Sequence, residues 1–235
     1  MSYRYIGAEL DLFAAAANWK AYMARRLRPF IGGRVLEVGA GIGGNTVFLH
    51  NARVRGWICL EPDPDLAGRI ERRLEAHELP PGCRVVTGTT AAVDPGAGVD
   101  TILYLDVLEH IAEDGAELAR AAQLLSPDGN LVVLAPAHQS LFTPFDAAVG
   151  HYRRYNRATL QALTPPGCRL EANLMLDSAG FFASLANRLL LSSSMPSPRQ
   201  IAVWDKLLVP ISRLTDRVTG HRFGRTIVVV WRRVA

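Results

Sequence analysis

Cysteine is scarce and lysine almost missing. The three cysteines, Cys59, Cys83 and Cys168, form an odd set without a C-x-x-C pair, which argues against both a disulfide framework and a structural zinc site. Lys20 and Lys206 are the two lysines, so nearly all positive charge is arginine, suited to bidentate anion contacts. No basic run exceeds two residues and the net charge is only +4. A nucleic-acid binder concentrates such charge along one face, so no nucleic-acid partner is expected. No apolar stretch approaches the roughly 20 residues that span a bilayer. Met1–Tyr5 lacks the charged-then-apolar layout of a signal peptide, and no internal repeat is visible. The expectation is a cytoplasmic chain without stable membrane insertion, monomeric or homodimeric.

What remains is ordinary globular material. At 235 residues, 49% apolar and 20% charged, the chain suits a single domain over 1–235 and excludes a disordered or collagen-like one. Residues 8–28 read as an alanine-rich helix, with Leu10, Phe13, Ala17 and Met23 at helical spacing. Strands then alternate with helices: strands at Arg34–Val38, Trp57–Leu60, Cys83–Thr87, Thr101–Leu105 and Asn130–Ala135, and helices at Asn45–Asn51, Asp65–Glu78 and Ala116–Leu125. Such alternation predicts a parallel sheet with helices on both faces. Pro-Pro-Gly-Cys-Arg occurs at Pro80–Arg84 and again at Pro165–Arg169, one turn solution used twice. Regularity fails over 136–158, as expected of a binding loop, and again over the insertion 192–220. There Asp205–Asp216 looks helical and Ser192–Pro198 irregular. Trp204, Leu207, Leu208, Val209 and Ile211 form an apolar stripe in the insertion, compatible with a specificity wall, a dimer surface or a membrane-facing patch. Phe223–Val230 reads as a last strand.

The first strand runs into Glu37-Val38-Gly39-Ala40-Gly41-Ile42-Gly43-Gly44. Gly39, Gly41 and Gly44 satisfy G-x-G-x-x-G, and Glu61 lies where a ribose-binding carboxylate belongs. Spacing alone therefore admits NAD. Charge separates the candidates: Glu37, Glu61, Asp106 and Glu109 ring the site, opposing a pyrophosphate and favouring S-adenosylmethionine, whose ammonium and sulfonium outweigh its carboxylate. An NAD(P)-dependent oxidoreductase and a non-catalytic binding module remain the alternatives.

Val35–Gly43 resembles the first motif of class I S-adenosylmethionine-dependent methyltransferases. Leu60-Glu61-Pro62-Asp63 resembles their second, Asp106–Ile111 the segment after their fourth strand, and Leu124–Leu131 the turn into their fifth. The resemblance implies a Rossmann-like seven-stranded α/β sheet, mostly parallel with an antiparallel last strand. It also implies that Glu37, Gly39, Gly41, Gly43, Glu61, Pro62, Asp106 and Val107 serve the cofactor, with Thr89 standing where an adenine-binding Asp is usual. Gly150-His151-Tyr152-Arg153-Arg154-Tyr155 is similar to an element of a bacterial subset of that family, which does not fix a substrate.

A hydroxyl acceptor needs a base, and histidine is the usual one near neutral pH. His151 is the first candidate and His138 the second, with Tyr152 or Tyr155 orienting a small-molecule acceptor and Arg153, Arg154 and Trp19 binding it. The competing reading makes this segment a packed lid whose arginines pair with Asp146 and helix ends. Asp106-x-x-Glu109-His110 resembles a magnesium-binding spacing of related methyltransferases, but two carboxylates and an imidazole are a thin shell, and no metal is expected.

Overall fold

The computed structural model describes Tyr5 and residues 9–190 and 196–234. Among them, β1 (Gly33–Val38), β2 (Val54–Glu61), β3 (Cys83–Thr87), β4 (Val99–Leu105), β5 (Leu125–Pro136), β6 (Cys168–Leu176) and β7 (Thr226–Arg233) form one sheet in the order β3-β2-β1-β4-β5-β7-β6. The first five strands pair in parallel, and β7 runs antiparallel between β5 and β6. This is the Rossmann-like sheet with an antiparallel last strand that the resemblance implied. Strand order reverses between β1 and β4, so a crevice opens beyond their carboxyl ends.

Helices cover both faces, which explains why the central strands are apolar on both sides. Leu103, Leu105, Val132 and Leu134 face a core shared with helix Ala17–Leu27. Ile102, Tyr104, Leu131 and Val133 face a second core, shared with helix Asp114–Leu124. The duplicated pentapeptide does form one turn twice. Gly82 and Gly167 take φ of 80° and 71°, and Cys83 N–H and Cys168 N–H return to the Pro80 and Pro165 carbonyls.

Several elements differ from the sequence reading, the last strand among them, which runs Thr226–Arg233 rather than Phe223–Val230. The N-terminal helix is two, Glu9–Ala14 and Ala17–Leu27. Ala16 has no side-chain acceptor to cap the second, so buried Asp205 supplies one, accepting Asn18 N–H at 3.2 Å and Trp19 N–H at 2.8 Å. The helix after the glycine loop shrinks to Thr46–Leu49. The insertion is helical from Pro198 to Val218, through a π-turn at Trp204–Leu208, while 192–195 lie outside the described residues. Trp204 and Val209 turn inward, whereas Leu207 and Ile211 stay exposed, so the apolar stripe read there divides between two faces.

Candidate active site

The glycine loop leaves β1 with Gly39 and Gly41 at φ of 64° and 59°, a backbone that side chains rarely adopt. A Cβ on Gly39 would meet Val107 Cγ2 at 2.7 Å, so the loop after β4 rests directly on this glycine. Gly41 N–H donates to Glu61 Oε2 at 2.7 Å, and Asp63 N–H to Glu61 Oε1 at 3.0 Å. Burial raises the pKa of Glu61 against these two bonds.

A cavity of about 310 Å³ lies over the loop, walled by Trp19, Gly39, Gly41, Gly44, Glu61, Pro62, Asp106 and Val107, and by Tyr5, Leu10 and Lys20 from the N-terminal segment. Of the cofactor residues expected from sequence, three lie outside this wall. Gly43 (φ 68°) turns the chain behind it. Glu37 lies beneath the loop, where its Oε2 accepts Thr46 Oγ1 at 2.6 Å and Trp57 Nε1 at 3.0 Å. Burial pushes its carboxyl up to about 7, so it braces the loop from below. Thr89 is exposed beyond β3, at the head of a 3₁₀ turn.

Two cations complete the wall and were not singled out from sequence. Lys20 donates from Nζ to the Ala14 carbonyl at 3.2 Å, and the same Nζ stands 3.0 Å from where a Gly44 Cβ would be. Burial and the charge of Arg73 lower its pKa, with Glu37 and Asp205 opposing. A signal existed: a lone lysine among the inward positions Trp19, Met23 and Leu27. Arg225 stacks on the Trp204 ring, 4.4 Å from its centroid, and pairs with buried Asp177 at 2.7 Å. Both partners are distant in sequence, so no local pattern announces it.

The opposite wall comes from the segment after β5. Asp146 is fully buried, and Thr143 N–H, Thr143 Oγ1, Arg154 Nε, Arg154 Nη2 and His151 all converge on it at 2.8–3.0 Å. Burial pushes its pKa up, but the bonds from His151 and Arg154 prevail and hold it well below the usual carboxylate range. An ionised carboxylate only accepts, so His151 Nδ1 carries the proton toward Asp146. In the neutral ring this leaves the Nε2 lone pair free, 3.9 Å from Glu109 Oε1.

Glu109 is completely buried, with neither carboxylate oxygen hydrogen-bonded. Burial and nearby Asp106 push its pKa well above the usual carboxylate value. Asp106 is exposed to the cavity, in a left-handed backbone conformation (φ 55°), and desolvation by the protein around it raises its pKa too. His110 packs edge-on to His151 with ring centroids 4.5 Å apart, and burial together with His151 pulls it down to about 4. Glu109, His110 and His151 present ligand atoms within 4.8 Å of one another, the set among the described residues that can hold a cation.

The other acceptor-side candidates stand apart from this wall. Tyr155 is buried and donates to Asp114 Oδ2 at 2.8 Å, and Arg153 Nη1 donates to the same oxygen at 2.7 Å. Both are committed to the start of helix Asp114–Leu124. Tyr152 points to solvent. His138 bonds the Gly224 carbonyl at 2.9 Å among Phe181 and Phe223. Arg154 lines the cavity, but through its pairing with Asp146. Both arginines are thus held as the packed-lid reading had them, with His151 positioned among them.

Residues 10–168 match a family of methyltransferase domains. A ubiquinone biosynthesis O-methyltransferase of Azorhizobium caulinodans is 34% identical over 113 residues, 47% of this chain and 43% of that protein. One of Xanthomonas axonopodis pv. citri is 30% identical over 146 residues, 53% and 59% of the two chains. The chain spans about half the length of these curated relatives. Among solved structures, a geranyl diphosphate methyltransferase in complex with S-adenosylmethionine superposes with a TM-score of 0.63 at 15% identity, covering 97% of this chain and 91% of that one. The cyclase SpnF gives 0.63 at 15% identity, covering 93% and 81%. At such identity the likeness is one of fold, and the fold alone serves more than one chemistry.

Proposed function

Because the chain belongs to a family of methyltransferase domains, we propose that it takes a methyl group from S-adenosylmethionine to a hydroxyl oxygen of a small or medium-sized acceptor, with His151 as the base. The observation that carries this reading is His151, bonded to buried Asp146 and set in the wall of the same cavity whose floor is the glycine loop. The O-methyltransferase names of the curated relatives favour oxygen among the possible acceptor atoms.

The residues fit the cofactor. Bare backbone at Gly39, Gly41 and Gly44 leaves room for close approach, and Glu61 offers a carboxylate to ribose hydroxyls. Lys20 offers a cation to the cofactor's carboxylate, while Asp106 suits its ammonium. When bound, S-adenosylmethionine supplies an electrophilic methyl group that needs no further activation. The protein's work is then placement and one proton. His151 Nε2 accepts the acceptor's hydroxyl proton, and Asp146 keeps Nδ1 protonated and stabilises the imidazolium that results.

Incubation with methyl-labelled S-adenosylmethionine and a panel of phenols, polyols and amines tests this. Label is expected in ethers, with a loss of roughly 10²–10⁴-fold in His151→Asn. Label confined to amines or carbon, or a rate indifferent to His151, contradicts it.

A further inference from the structure

The helical run Pro198–Val218 has an inner face that the site uses and an outer face that none of the described residues covers. Inward, Trp204 lines the cavity and Asp205 caps helix Ala17–Leu27. Asp216, also inward, accepts Tyr22 OH at 2.6 Å. Outward, Val203, Leu207, Ile211, Leu214 and Val218 are each between 50% and 81% exposed. Their steps of three and four residues set them in one line along the helix. Lone exposed apolar residues are ordinary, but an unbroken line of five is not.

Charge selects the occupant. The acidic residues of the run, Asp205 and Asp216, are both buried inside the fold, whereas Arg199, Lys206 and Arg217 are exposed and Arg213 half-buried. Among the described residues none of these four cations has an ion-pair partner. Lys206, Arg213 and Arg217 each precede a stripe residue by one position, a step of about 100° around the helix, so they share one flank of the stripe. A second copy packed antiparallel through a two-fold axis would set that cationic flank near its own image. An anionic lipid surface instead takes the apolar stripe at the acyl boundary and the cations at the headgroups.

We propose that this run is a peripheral docking face for an anionic membrane, lying in the plane of the interface with its inner face still serving the cavity. The inference is independent of the methyl-transfer reading, since it is read without cofactor or acceptor.

Flotation with vesicles decides it, using phosphatidylcholine alone and phosphatidylcholine with one quarter phosphatidylglycerol, at 0.1 M and 0.5 M salt. Binding at least tenfold stronger to the anionic vesicles is expected, with most of it lost at high salt. Leu207→Ser/Leu214→Ser should lower binding tenfold or more while its thermal melt stays that of the parent. Lys206→Glu/Arg217→Glu should remove the preference for anionic lipid, by about fivefold for each cation lost. Absence of binding to either vesicle, or unchanged binding in both variants, overturns the proposal. A dimer that Leu207→Ser/Leu214→Ser dissolves, with vesicles unbound, also overturns it and assigns the stripe to a second copy.

Discussion

His151 Nδ1 lies 2.9 Å from Asp146 Oδ1, a buried carboxylate that Arg154 and Thr143 hold ionised from its other sides. Tautomer, ring orientation and the direction of the free nitrogen all follow from that contact. Asp146→Asn can donate to Nδ1 through its amide, reversing the tautomer and turning an N–H where the lone pair is needed. We expect its turnover to fall as far as that of His151→Asn, with S-adenosylhomocysteine bound as tightly as by the parent. The Asn variant should also lose about 3 kcal/mol of stability, because Arg154 is left without its buried partner. Steady-state kinetics, calorimetry and denaturant melts read the three quantities. Retained turnover in Asp146→Asn would separate the pair from catalysis.

Glu37 makes the pH dependence of stability testable. Burial raises its folded pKa to about 7 from 4.5, so between these values the fold keeps a proton that the unfolded chain has released. Stability from this group is therefore complete below pH 4.5, falls as pH rises toward 7 and is flat beyond. Glu37→Gln keeps an acceptor for Thr46 and Trp57 but has no proton to lose. In urea melts at pH 5 and pH 8 the parent should lose more stability than the variant. Parallel pH curves would place the charge elsewhere.

Lys20 should govern affinity more than rate. Lys20→Met keeps the length of the stem and removes the ammonium beside Gly44. A roughly tenfold weaker Kd for S-adenosylhomocysteine is expected, the scale of one charge-assisted hydrogen bond, with kcat little altered at saturation. An unchanged Kd would mean that the cofactor's carboxylate lies away from this lysine.

Glu109, His110 and His151 lie close enough together to hold a cation. A cation needs an ionised carboxylate, and burial opposes ionisation of Glu109. Activity is therefore expected to survive EDTA, and Glu109→Gln to bind S-adenosylhomocysteine as the parent does. Loss of activity in EDTA, restored by a divalent ion, would assign the cluster to metal.

Legibility from sequence followed the range of the interactions. The glycine loop, the strands flanking it and the repeated Pro-Pro-Gly-Cys-Arg turn are local devices, so residue type and spacing announce them. The single helix expected over 8–28 divides because its cap comes from Asp205, far along the chain. Lys20 is marked only by its place among inward helix positions, whereas Arg225 enters the wall and Glu37 drops beneath it through tertiary contacts that no periodicity encodes. In the loop after β5 the sequence offers histidines, tyrosines and arginines in one cluster. Which of them face the cavity depends on Asp114 and Asp146, which draw Tyr155 and Arg153 to one side and His151 and Arg154 to the other.

The most direct test is calorimetric titration of the purified protein with S-adenosylhomocysteine, with NAD⁺ run beside it. The account predicts micromolar binding of S-adenosylhomocysteine, weakened in Lys20→Met and unchanged in His151→Asn, and no heat from NAD⁺. Binding of NAD⁺ with no response to S-adenosylhomocysteine would mean that the glycine loop holds a pyrophosphate, and would contradict the account at its base.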